Sequence, residues 1–117
     1  MIQMLSCFNL QPQDDIESFH KAYLEFLTEL KLLDLVYDTG PLGKRENDTP
    51  MDTDNERHHQ FFVLMRFRDR LQMDLAYAHI EQHTGTTDKT HNAILGKVRD
   101  PIFICWREIQ SPFHDPD

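Results

Sequence analysis

The chain has 117 residues, 39% apolar and 27% charged, with twelve Lys and Arg against twenty Asp and Glu and a formal charge of -8. That length suits one small domain rather than two, and the balance is globular rather than disordered. A net-negative surface repels phosphate backbones and anionic lipid, which argues against nucleic acid or a membrane as partner.

The opening run Met1 to Phe8 is apolar but lacks a basic leader, and no apolar stretch approaches membrane-spanning length, so a cytoplasmic location is expected. Residues Ile2 to Asn9 read as a first strand. Asp14 and Asp15 then place negative charge where a helix begins, and Ile16, Phe19, Tyr23, Phe26, Leu27, Leu30 and Leu33 recur at gaps of three and four. Leu35-Val36-Tyr37 begins a second strand, which Gly40, Pro41 and Gly43 confine to a sheet edge or force to bend. The acidic stretch Glu46 to Glu56 reads as an exposed, mobile loop.

A third strand is expected from His59 to Phe67. Asp69 and Gln72 then form a capping pattern for a helix carrying Leu71, Leu75 and Ala78, which ends near His83 and Gly85. Thr87 or Asp88 caps a shorter helix with the stripe His91, Ile94, Leu95 and Val98, and Asp100-Pro101 closes it. The last strand is expected over Ile102 to Ile109, followed by a loose tail over residues 111–117 after a single domain spanning 1–110. Strand, helix, strand, strand, helix pair and strand give βαββαβ. This is an α+β, ferredoxin-like arrangement with an antiparallel sheet, helices on one face and an extra short helix before the last strand.

Three strands are apolar on both faces: Phe61, Val63 and Met65 oppose Phe62 and Leu64; Phe103 and Cys105 oppose Ile102, Ile104 and Trp106; Ile2, Met4 and Phe8 oppose Leu5 and Cys7. Helices cover one face only, so the other is expected to pack against a second copy of the chain, as a homodimer. The two cysteines, Cys7 and Cys105, are expected to serve as buried apolar side chains.

This element order and these two-sided strands resemble the dimeric α+β barrel superfamily of ferredoxin-like proteins over residues 2–110, and within it the small uncharacterised bacterial members. The resemblance implies cofactor-free monooxygenase, haem-degrading, muconolactone-isomerase-like or dye-peroxidase chemistry. Haem-degrading members are similar to one another in an Asn on the first strand, a Trp on the third and a His on the second helix. Asn9 and His79 match, whereas Trp106 lies on the last strand, which counts against haem degradation.

Seven histidines occur, and His79 and His83 are four apart, a spacing that can clamp a metal if a third ligand arrives; a surface pair is the commoner meaning, and no metal or cofactor is expected. The expected site is a helix–sheet pocket for an apolar or aromatic small molecule. His79, His59 and Tyr23 are the candidate catalytic groups, and Asn9, His20 and Trp106 the pocket residues. The alternative is a non-catalytic homodimeric binding or stress-related module whose helix–sheet gap is filled by side chains and whose interactions fall on the loop Glu46 to Glu56. Whether the protein is an enzyme is left open by the residues themselves.

Overall fold

The computed structural model describes residues 1–109. Strand β1 (Ile2–Leu10) leads to helix α1 (Ile16–Leu32), β2 (Asp38–Lys44), β3 (Phe61–Phe67), α2 (Arg70–Glu81), α3 (Gly85–Leu95) and β4 (Val98–Arg107). The sheet order is β2-β3-β1-β4, and every pairing is antiparallel. This is the ferredoxin-like βαββαβ fold, with α3 inserted before the last strand.

Helix α1 forms as its periodicity dictates. Asp15 caps it by accepting a hydrogen bond from the Ser18 backbone N–H at 2.8 Å, and Phe19, Tyr23, Phe26, Leu27 and Leu30 are buried against the sheet. The core cluster joins these to Phe8, Val63, Met65 and Phe67 on the strands and to Ala76 on α2. The expected tail over 111–117 lies outside the described residues.

The remaining elements depart from expectation in instructive ways. Leu35 and Val36 do not start β2. The Leu35 N–H closes the end of α1 on the Leu30 carbonyl at 2.8 Å, Val36 enters the core, and the sheet begins only as the Tyr37 N–H meets the Arg66 carbonyl at 2.9 Å. As expected, β2 is an edge strand, with a register shift between Thr39 and Leu42 that takes up Gly40 and Pro41.

In α2 the predicted stripe is turned outward. Leu71 is 66% exposed and Leu75 and Ala78 also face away, while Gln72 and Ala76 are buried with Met73 and Ile80 beside them. The buried Gln72 sets this rotation. Its Nε2 donates to the Asp34 carbonyl at 3.1 Å, and its Oε1 accepts the Arg68 N–H at 2.7 Å. Asp69 caps α2 as expected, accepting the Gln72 N–H at 2.8 Å.

Helix α2 ends at Glu81, and His83 adopts a left-handed conformation (φ 53°) immediately beyond it. Gly85 opens α3 rather than closing α2, and Thr84, not Thr87 or Asp88, is the N-cap. Asp100 and Pro101 lie inside β4, which starts at Val98 rather than Ile102. They form a bulge at the register shift opposite Cys7 and Asn9, where Asp100 is left-handed (φ 54°). On an edge strand such a bulge accommodates the missing proline N–H.

The loop between β2 and β3 is exposed, yet it is built around one side chain. Arg45 forms a bidentate pair with Asp52 (2.8 and 2.9 Å) and donates to the carbonyls of Asp54 and Arg57. Asp54 in turn accepts the backbone N–H groups of Glu56 and Arg57.

Candidate functional site

Inward positions of β1, set by strand alternation, are Ile2, Met4, Ser6 and Phe8; the matching row of β3 is Phe61, Val63, Met65 and Phe67. Above them stand α1, α2 and α3. The three helices do not close over β4, so Phe103 stays 57% exposed and Cys105 is exposed as well, against the expectation of a buried thiol. Between helices and sheet lies a cavity of about 320 Å³. Met4, Phe8, Phe19, Phe26, Met65 and Ile94 are among its apolar lining residues.

Few polar groups reach this space: Ser6 on β1, Tyr23 on α1, Asp74 and Tyr77 on α2, and His91 on α3. Asp74 is held by Arg70 at 2.8 Å, one turn earlier on the same helix. The Tyr23 hydroxyl lies 2.7 Å from Thr39 Oγ1, and that hydroxyl also bonds the Leu64 carbonyl at 3.0 Å. With the threonine proton directed to the carbonyl, Tyr23 is the donor to Thr39. Burial raises the Tyr23 hydroxyl above the usual tyrosine range, an effect the Thr39 bond lessens and the Asp38 carboxylate adds to.

His91 is different. Its ring packs against Phe26 with centroids 5.2 Å apart, and it makes no hydrogen bond to any described residue. Burial lowers its pKa, with His83 acting in the same direction and Asp88 and Glu81 opposing. The imidazole is therefore neutral near pH 7, and in an apolar wall it can accept a proton or a hydrogen bond.

The histidines singled out by sequence take other positions. His79 is half-buried, and its Nε2 lies 2.9 Å from Thr87 Oγ1, joining α2 to α3 outside the cavity lining. His83 has left the helix and points its Nδ1 toward Asp88 Oδ1 at 3.3 Å, so the two do not form an i, i+4 pair. Among the described residues no three ligand-type side chains gather into a metal cluster.

His59 precedes β3 and donates through Nε2 to the Asp100 carbonyl at 2.7 Å, beside a hollow of about 500 Å³ on the opposite face of the sheet. Leu5, Cys7, Phe62 and Ile102 floor that hollow, with Arg45 and Arg57 at its rim. Burial pushes the Cys7 thiol up, against the pull of the two arginines, which keeps it a poor nucleophile.

Asn9 closes its strand, its Oδ1 accepting the Gln60 N–H at 3.0 Å, and does not line the cavity. His20 lies on the exposed side of α1. Trp106 pairs with Gln3 on the open sheet face and is 58% exposed there. Of the six expected residues only Tyr23 lines the cavity, while Ser6 and His91 were missed. A titratable residue at an otherwise apolar helical stripe was the available signal for His91.

No protein-family model matches the chain, and no curated protein matches it significantly. Solved structures do. A crystal structure from Arabidopsis thaliana superposes with a TM-score of 0.72 at 8% identity, covering 97% of this chain and 100% of that one. SnoaB, a cofactor-independent oxygenase from Streptomyces nogalater, gives 0.60 at 6% identity over 97% of each chain. A dimeric ferredoxin-like protein of unknown function from Jannaschia sp. CCS1 gives 0.62 at 11% identity, covering 92% of this chain and 98% of that one. The chain has the fold of these proteins. No helix of the described residues is long and apolar enough to cross a membrane.

Proposed function

We propose that the protein binds a small, apolar aromatic molecule in the helix–sheet cavity and acts on it by acid–base chemistry through His91. The observation that carries this reading is the His91 imidazole in the wall of a mostly apolar space, packed against Phe26 and bonded to no described residue. A volume of about 320 Å³ stands at the lower end of ligand pockets, enough for a fused two-ring compound. A phenolic or similarly acidic substrate can hand its proton to His91, leaving an electron-rich anion held among apolar side chains. SnoaB, a cofactor-independent oxygenase, shares the fold. The open gap favours small-molecule binding over a non-catalytic module whose gap is filled by side chains.

We further propose that the working form is a cytoplasmic homodimer. The face of the sheet away from the helices presents Leu5, Cys7, Phe62, Leu64, Ile102, Ile104 and Trp106, none of them fully buried. Two-fold pairing of this face removes the patch from water, and the Jannaschia protein of this fold is dimeric.

Equilibrium dialysis with 2-naphthol, a fused two-ring phenol, tests the site. Saturable binding of one molecule per chain, weakened about tenfold by His91→Ala, is the expected result. No binding, or binding indifferent to residue 91, counts against it.

A further inference from the structure

Ser6 breaks the inward row of β1. Its neighbours in that row are Ile2, Met4 and Phe8, and its partners across the sheet are Val63 on β3 and Phe103 on β4. The side chain is only 8% exposed and lines the cavity, and its hydroxyl bonds no described residue. The backbone groups of a central strand are occupied by ladder hydrogen bonds on both sides, so the hydroxyl gains little from its own chain. No side-chain polar atom among the described residues is both sealed off and unpaired, so the Ser6 hydroxyl is open to the cavity, where a polar atom of a bound molecule can pair with it.

His91 presents the second such group. It comes from α3, above the sheet, whereas Ser6 rises from the sheet itself, and both line the same cavity. Of the other polar side chains around it, Tyr23 is engaged with Thr39 and Asp74 with Arg70, while Tyr77 is 67% exposed and faces solvent. With Tyr77 turned to solvent, the Ser6 hydroxyl and the His91 imidazole are the free polar groups on two walls of a mostly apolar cavity, an arrangement that recognises a molecule with two polar atoms separated by an apolar body.

We infer that the ligand class is a fused aromatic carrying two oxygen functions, an acidic hydroxyl received by His91 and a second hydroxyl or carbonyl bonded by Ser6. This inference rests on the reading of the cavity given above and deepens it. In this arrangement Ser6 is a positioning and specificity-determining residue. Its hydroxyl donates to a carbonyl or accepts from a hydroxyl, fixes the ring plane, and leaves the acidic end against the imidazole. A ligand with one oxygen is held only at the His91 end.

The test compares 2-naphthol with the 1,5-, 1,6-, 2,6- and 2,7-dihydroxynaphthalenes by equilibrium dialysis, on the full chain and on Ser6→Ala. The isomers scan the spacing between the two oxygens. At least one diol is expected to bind the unaltered protein about fivefold more tightly than 2-naphthol. Ser6→Ala should abolish that advantage while holding 2-naphthol within twofold, which also shows that the variant is folded. Diols that gain nothing over 2-naphthol overturn the two-point inference and leave the cavity reading standing, as does an advantage that survives Ser6→Ala. Failure of the unaltered protein to bind any of the five compounds overturns the cavity reading and this inference with it.

Discussion

The hydroxyl of Tyr23 lies 2.7 Å from Thr39 Oγ1, and Thr39 carries the connection on to the Leu64 carbonyl of the neighbouring strand. A side chain with the chemistry of a general acid is thereby committed to joining α1 to the edge of the sheet. Tyr23 shapes the cavity through its ring, while its hydroxyl is held by Thr39.

Tyr23→Phe should therefore lower stability by about 1 kcal/mol, through loss of one buried hydrogen bond, and change 2-naphthol affinity less than twofold. Urea denaturation and dialysis measure the two separately. The raised Tyr23 pKa adds a sign: the folded state holds the proton more tightly than the unfolded one, so this contribution is full below pH 10 and is lost as pH rises through the folded value. The alkaline decline in stability should be shallower in Tyr23→Phe.

His91 predicts the opposite edge of the pH range. Its folded pKa is depressed below the usual 6.5, so the unfolded chain binds the proton first. Stability is full above about pH 6.5 and is lost as pH falls toward the folded value, and His91→Gln should flatten that slope between pH 5 and 7. Affinity for a phenol should fall over the acidic end of the same window, where the protonated ring no longer accepts. A slope identical in the two proteins would assign the acid sensitivity to other groups.

How far the sequence revealed this arrangement depended on whether a signal was local. The α1 stripe from Phe19 to Leu30 is local and lies buried as its spacing requires, and the acidic pair Asp14-Asp15 stands at the helix start, where Asp15 is the cap. Leu33, at the end of the same stripe, falls past the helix and is exposed. The rotation of α2 is not local: Leu71 and Leu75 look like a core stripe until Gln72 is seen to bond the turn at Asp34, thirty-eight positions earlier. Asp100-Pro101 reads as a stop because both residues disfavour a continuous ladder, and only the register against β1 shows it to be a bulge. The His79–His83 spacing assumed a helix that continues, whereas His83 sits in the left-handed region past its end. Alternation would put His59 on the side of Phe61 and Val63, but β3 begins only at Phe61, and His59 instead bonds the Asp100 carbonyl at the bulge. The register against β1 puts Trp106 on the open face, opposite Gln3.

Arg45 offers a test of the β2–β3 loop. Its guanidinium meets the Asp52 carboxylate and two carbonyls of the same loop, and the Asp52 carboxyl is lowered chiefly by that hydrogen bond. Arg45→Ala should raise hydrogen exchange of backbone amides over residues 46–60 while leaving β1 and β3 protected. Unchanged exchange in the loop would show that its order comes from elsewhere.

The open sheet face supplies a test of the dimer. Trp106 is large and 58% exposed, opposite Gln3 and two residues along its strand from Ile104 on the same apolar face, the profile of an interface anchor. Trp106→Glu should raise the dimer dissociation constant at least roughly thirtyfold, read by sedimentation equilibrium, without unfolding the monomer. A single-chain mass for the unaltered protein at all concentrations would remove the sheet-to-sheet dimer from consideration.

Gly43 connects the same face to β2. A Cβ at this position would come within 2.1 Å of the Phe62 ring, which lies across the glycine on the neighbouring strand. Gly40 stands likewise beneath the Leu64 side chain, so the two glycines let Phe62 and Leu64 lie flat on the sheet edge. Gly43→Val forces the ring to lift or the strands to separate, an overpacking expected to destabilise by roughly 1–3 kcal/mol. A lifted ring also roughens the proposed contact surface, so the variant should dimerise more weakly than its stability loss alone explains. The comparison that separates the two effects is Phe62→Leu/Gly43→Val, in which the shorter side chain leaves room for the valine. If that double variant regains stability and dimer affinity together, the Phe62 ring over Gly43 couples the edge strand to the pairing face. If it regains neither, the glycine is required by the β2 backbone itself.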